Sequence, residues 1–179
     1  MREASKNFLQ KLLSAPGPSG YEGPVRDVWK EEVGNYADSV TTDIHGNAIA
    51  SLGSEKLPRV MLAGHMDELG FQIIHIDEAG YLFFETIGGF DIGIVPGRKV
   101  RIHTKRGPIL GVLGKKPIHL MSPEERKKIP EKNDLWIDIG VVSGKEAKKH
   151  VSIGDPVTYD SNFEMLRNDM IVSRATKSL

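Results

Sequence analysis

Arg59-Val60-Met61-Leu62-Ala63-Gly64-His65-Met66-Asp67-Glu68-Leu69-Gly70 is an apolar run that breaks at a glycine and then presents a histidine and an aspartate two positions apart. A short apolar run bounded by turn residues suits a buried strand of an α/β sheet, so the pattern predicts a strand over 60–63. Ligands of such sheets gather beyond the carboxyl ends of the strands, and His65 stands there. Alternate side chains of extended chain share a face, so Asp67 can turn back toward the imidazole of His65 while Glu68 points the other way. A carboxylate beside a metal-bound histidine fixes its tautomer and raises its basicity. The spacing alone leaves two readings open: a metal ligand with its supporting carboxylate, or the first residues of a solvated loop.

Working outward, the chain before Gly70 reads as the start of an α/β domain. Phe8, Leu9, Leu12 and Leu13 form an apolar stripe at helical spacing, closed by Ala15-Pro-Gly-Pro-Ser-Gly20. A second helix begins around Pro24, buries Val25, Val28, Trp29 and Val33, and ends near Gly34-Asn35. Residues 39–42 and 48–52 read as strands about a Gly-Asn turn. These elements are too few to close a core of their own. From 71 to about 159 the signals turn to β: 71–76 and 81–86 flank one hairpin turn, 99–104 and 109–113 flank another, and 135–139 and 155–159 add two strands. Short strands at close spacing point to a small closed barrel. Ser122 with Glu125, and Ser143 with Glu146, have the spacing of helix capping boxes.

Several stretches together resemble the tetrahedral aminopeptidases, a family of dinuclear-metal exopeptidases that includes the glutamyl and deblocking enzymes. They are Asp43-Ile-His-Gly-Asn47, the run from Val60 to Phe71, Gly17-Pro-Ser-Gly-Tyr-Glu22, Lys115-Lys-Pro-Ile-His119, Leu135-Trp-Ile-Asp-Ile-Gly140, Ile153-Gly-Asp155 and Ser173-Arg-Ala175. The matches are collinear and reach from end to end of the chain, but they correspond to the amino-terminal half of the family pattern. The resemblance implies an α/β fold, the N-terminal part of a zinc-peptidase-like α/β/α catalytic domain with an inserted small β-barrel dimerisation domain. Residues 1–69 would begin the catalytic domain, 70–160 would form the barrel and 161–179 would return to the catalytic domain.

The resemblance also implies roles. His65 would be a metal ligand and Asp67 its catalytic partner; the metals would be divalent, zinc or cobalt. The family's bridging carboxylate follows the Ser-Arg-Ala segment, where this sequence has Lys177, whose ammonium offers donors and no acceptor. The remaining ligands and the general-base glutamate fall after residue 179 in the family pattern. A metal would therefore bind weakly or not at all, and this chain alone would be an inactive fragment of an enzyme that removes N-terminal residues from peptides. His119 matches a family position and is expected to be structural.

Composition agrees. The 179 residues carry 24 basic and 24 acidic side chains, which argues against a dedicated nucleic-acid or membrane surface. There is no cysteine, so any metal must be held by His, Asp, Glu and water. The first residues lack the apolar core of a signal peptide, and no stretch approaches a membrane span, which fits a cytoplasmic protein. The Glu124-Glu125 pair is explained by capping and solvation, and Gly88, Gly89, Gly93 and Gly97 lack the Gly-Lys-Ser/Thr of a phosphate loop. His45, His75, His103 and His150 have no second ligand at useful spacing. Three functions follow. The first is the aminopeptidase fragment, self-associating through its barrel. The second is a stand-alone oligomerisation or regulatory module. The third, ranked last, is a carbohydrate hydrolase using Asp67 or Glu68 as one of two carboxylates.

Overall fold

The computed structural model describes residues 1–53, 57–161 and 163–174. Lys177 lies outside the described residues, as does the Ala175 end of the Ser-Arg-Ala motif. The chain divides into two units, Met1–Glu68 with Asn162–Leu179, and Leu69–Ser161.

The first unit opens with α1 (Glu3–Ser14) and α2 (Gly23–Val33). Pro24 sits in the first turn of α2, where its missing N–H leaves no bond unmade. The end of α2 differs from the usual left-handed glycine cap. Gly34 keeps a helical φ of -60°, and the Asn35 side chain instead donates to the carbonyls of Glu31 and Glu32 at 3.2 and 3.1 Å. Strands β1 (Ser39–Thr42) and β2 (Ala48–Ser51) form an antiparallel hairpin. Asp43 ties its turn: the carboxylate accepts from the backbone N–H groups of His45 and Asn47 and from the Asn47 amide.

The strand expected over 60–63 is absent. Residues 59–64 are irregular, and Val60, Met61 and Leu62 are 81%, 87% and 95% exposed. A strand needs a neighbour for its backbone N–H and C=O groups, and the β1–β2 hairpin pairs only with itself. Val25 is the only buried hydrophobic residue of this unit among those described, so its core is thin. After residue 162 come two short strands, β9 (Glu164–Met165) and β10 (Ile171–Val172), paired antiparallel.

The second unit is a closed barrel of six antiparallel strands. They are β3 (Gly70–Ile76), β4 (Leu82–Ile87), β5 (Lys99–Thr104), β6 (Gly107–Lys115), β7 (Leu135–Asp138) and β8 (Pro156–Tyr159), in the order β3-β4-β7-β6-β5-β8. Closure comes from β8, which pairs with both β3 and β5 and leaves the sheet no open edge. Along β3 the burial alternates until a register shift between Ile73 and His75, so Phe71 and Ile73 point inward. Phe71 is fully buried at the centre of an aromatic group, with ring centroids 4.9 Å from Phe84, 4.4 Å from Phe90 and 5.5 Å from Tyr159. Helix α3 (Gly144–His150) packs close to the turn after β3, where a Cβ on Gly144 would lie 2.1 Å from the Asp77 carbonyl oxygen.

Both capping boxes have a structural counterpart. The Ser122 and Glu125 side chains accept each other's backbone N–H at 3.2 and 2.6 Å, over a single 3-10 turn. Ser143 accepts from Glu146 N–H at 3.3 Å at the start of α3, while the Glu146 carboxylate takes Val142 N–H. His119 is exposed on a 3-10 turn, and His103 bonds the Thr158 hydroxyl through Nε2 at 2.9 Å. No helix among the described residues is long and apolar enough to cross a membrane.

Replacing Phe71 with alanine should lower the stability of the barrel by about 3–5 kcal/mol, the cost of emptying a packed aromatic site. Urea unfolding followed through the barrel's Trp136 fluorescence measures this; a loss under about 1 kcal/mol would mean the core repacks around the cavity.

Candidate metal centre

The chain stays irregular past Gly64 as far as Asp67, and there Asp67 lies against His65. His65 Nδ1 is 2.8 Å from Asp67 Oδ1 and 3.2 Å from the Asp67 carbonyl oxygen. The expected juxtaposition of the two side chains is therefore present although the expected strand before them is not. Ser19, from the turn between α1 and α2, donates its hydroxyl to Asp67 Oδ2 at 2.5 Å. The aspartate is thus held from both sides. The Ser19 hydrogen bond, the largest effect, holds its carboxyl below the usual carboxylate range; burial opposes it, and the hydrogen bond and charge of His65 add to the lowering.

This arrangement selects a tautomer. An ionised carboxylate only accepts, so Nδ1 must carry the proton it shares with Asp67, and in the neutral ring the lone pair resides on Nε2. The His65 side chain is 60% exposed. A carboxylate at Nδ1 is the support that metal-bound histidines ordinarily have, with Nε2 left to the other partner.

Glu68 points away from Asp67, as alternation requires, and enters the unit's interior. Its backbone N–H donates to the Gly17 carbonyl at 2.8 Å, and its Oε1 accepts from Gly17 N–H at 2.9 Å. Gly17 has no room for a side chain there: a Cβ would lie 2.6 Å from Val25 Cγ1. Arg174 closes the cluster. Its Nε donates to Glu68 Oε1 at 3.2 Å and lies 3.1 Å from Oε2, and its Nη2 donates to the Ser14 carbonyl at 2.8 Å. The Nε–H direction serves Oε1, so Oε2 has a charge contact but no hydrogen bond among the described residues. The Glu68 and Arg174 side chains are only 5% and 8% exposed. Burial pushes the Glu68 carboxyl up, and the Arg174 guanidinium opposes that shift. Removing one partner of so buried a pair typically costs about 3–5 kcal/mol.

Sequence reasoning singled out His65 and Asp67 and missed the contributions of Ser19, Gly17 and Arg174. Two of the matched motifs, Gly17-Pro-Ser-Gly20 and Ser173-Arg174, carried the signal without stating what those residues touch. Glu68 sits in an ion pair out of reach of a substrate, which removes it as one of the two exposed carboxylates that a carbohydrate hydrolase needs.

The donor set fits one ligand position and its support, and falls short of a whole metal site. Among the described residues no group of three or more His, Cys, Asp or Glu side chains is placed to hold a metal ion. A catalytic zinc ordinarily takes three protein ligands.

A sequence profile of the M42 glutamyl aminopeptidase family matches residues 46–176, ending one residue before Lys177. The lysyl aminopeptidase of Pyrococcus furiosus is 35% identical over 163 residues, covering 89% of this chain and 46% of that protein. The TET aminopeptidase of the marine sediment archaeon Thaumarchaeota archaeon SCGC AB-539-E09 superposes with a TM-score of 0.89 at 38% identity, over 93% of this chain and 48% of the other. The Pyrococcus horikoshii TET1 peptidase, which can assemble into a tetrahedron or a large octahedral shell, gives 0.84 at 36% identity, over 95% and 51%. The chain thus spans about half the length of the relatives it matches.

Ser19→Ala should raise the Asp67 pKa toward the ordinary carboxylate value. The sign follows from the lowered native value: the stability that Asp67 contributes is present above its unfolded pKa of about 3.9 and is lost as pH falls through the lower folded one. Carboxyl carbon titration by NMR reads the shift, and an unchanged Asp67 midpoint in the variant would contradict the assigned cause.

Proposed function

The chain belongs to the M42 glutamyl aminopeptidase family, and on that premise we propose that it is the amino-terminal portion of a metallo-aminopeptidase. In this reading His65 is a metal ligand, Asp67 is the catalytic-site carboxylate that orients it, and peptides with a free amino terminus are the substrates. The observation that supports it is the His65–Asp67 pair, with Nδ1 engaged on a ring that is largely exposed. Zinc or cobalt, once bound in an intact enzyme of this kind, would supply the activated water and the carbonyl polarisation that peptide hydrolysis needs.

The contribution of this chain's own residues is orientation. Asp67 retains the Nδ1 proton and makes the ring a better donor at Nε2, and Ser19 keeps the carboxylate from rotating away. In the family pattern a bridging carboxylate follows the Ser-Arg-Ala segment, and the sequence has Lys177 there, whose ammonium has no acceptor to offer a cation. In this reading the 179-residue chain by itself is inactive, binds metal weakly, resides in the cytoplasm and associates with copies of itself. The barrel is the part suited to self-association, because its core is complete without the rest of a catalytic domain. The assemblies of the TET1 relative support that reading.

Two outcomes follow. Leucyl and glutamyl anilides with added zinc or cobalt should give no turnover above background; metal-dependent turnover abolished by His65→Ala would require ligands from another subunit. Size-exclusion chromatography with light scattering at micromolar concentration should report a dimer or larger species, whereas a strict monomer would remove the barrel as an association domain.

A further inference from the structure

The strongest feature the proposed chemistry does not use is the buried cluster behind the site. Glu68 immediately follows Asp67, and it grips Gly17 at two points, through its backbone N–H at 2.8 Å and through its carboxylate at 2.9 Å. Gly17 is two residues before Ser19, the hydroxyl that holds Asp67. The same two strands of chain therefore carry both contacts: Glu68 to Gly17 inside, Asp67 to Ser19 outside. Fixing the inner contact fixes the register of the outer one.

The inner contact in turn depends on residues more than a hundred positions away. An ionised Glu68 at 5% exposure needs a cation, and Arg174 provides it while bonded to the Ser14 carbonyl. Ser173 donates its hydroxyl to the Leu13 carbonyl at 3.2 Å, so the 173–174 segment is strapped along the end of α1 at two successive carbonyls. Arg174 thereby joins the α1 end, the Gly17 turn and the loop bearing His65.

We propose that Glu68 and Arg174 are positioning residues that set the orientation and tautomer of His65 by locking the Asp67–Ser19 contact into register. The inference rests on the reading of His65 as a metal ligand, and neither residue touches metal or substrate. Loss of the pair lets the 65–68 loop slide against the 17–20 turn, Asp67 leaves Nδ1, and the ring no longer keeps its lone pair at Nε2.

The test uses the full 179-residue chain labelled with nitrogen-15. Long-range proton–nitrogen spectra distinguish the Nδ1–H from the Nε2–H form of His65, and Asp67→Asn gives the reference signature for loss of the direct partner. In the unsubstituted protein the Nδ1–H form should dominate. In Glu68→Leu, which removes the acceptor for Gly17 N–H and the partner of Arg174, and in Arg174→Met, that dominance should be lost while the amide signals of α1 and α2 remain dispersed. A folded variant of either kind with the Nδ1–H form undiminished would overturn the proposal. So would collapse of the α1 and α2 signals in both variants, because the pair would then be a stability element only. Adding zinc to the unsubstituted protein tests the underlying reading separately: a shift at His65 Nε2 supports it. No shift there would remove the metal-ligand reading while leaving the tautomer comparison to judge the pair.

Discussion

A carboxylate cannot be left alone in a protein interior, and at Glu68 that constraint organises everything around the candidate site. Its charge is met by Arg174, its Oε1 by Gly17 N–H, and the guanidinium by the Ser14 carbonyl. Removing either charge exposes the other to the full penalty of burial. The exposed residues of the site inherit their geometry from this buried one, since Ser19 reaches Asp67 only while Gly17 is held beside Glu68. Adjacent carboxyls are consequently driven apart. Asp67 is pulled down chiefly by the Ser19 hydrogen bond, and Glu68 is pushed up by burial against the opposing charge of Arg174.

The two units differ in how their cohesion is built. The barrel closes its hydrogen-bond ladder through β8 and fills its interior with Phe71, Ile73, Ile102, Leu113 and Ile137, all fully or almost fully buried. The first unit buries Val25 and relies on polar contacts: the Asp43 turn, the Asn35 cap and the Glu68–Arg174 cluster. Hydrophobic burial is additive and tolerant, whereas a polar cluster fails as a unit when one partner is lost. The candidate metal centre is therefore carried by the part of the chain with the less forgiving chemistry.

What the sequence made legible follows from range. Helix ends, the Ser122–Glu125 capping box and the His65–Asp67 pair involve residues two to four positions apart, so the partners can be read from their spacing. The barrel was legible because alternation and turn residues recur along it. Ser19 and Arg174 were not, because they lie 48 and 106 residues from the groups they contact, and no periodicity encodes such a meeting. The segment 60–63 was misread for a related reason. An apolar run states that a strand would be stable if covered; it does not state that a neighbouring strand is there to pair with it, and among the described residues none does.

The account turns on His65 presenting Nε2 to a metal with Asp67 held behind it. An anomalous difference map at the zinc edge, from crystals of the chain grown with zinc, measures that directly. The account predicts a peak about 2.0–2.1 Å from His65 Nε2, with the Asp67 contact to Nδ1 intact. Zinc on other histidines with none at His65, or zinc at Nδ1 with Asp67 displaced, would contradict it.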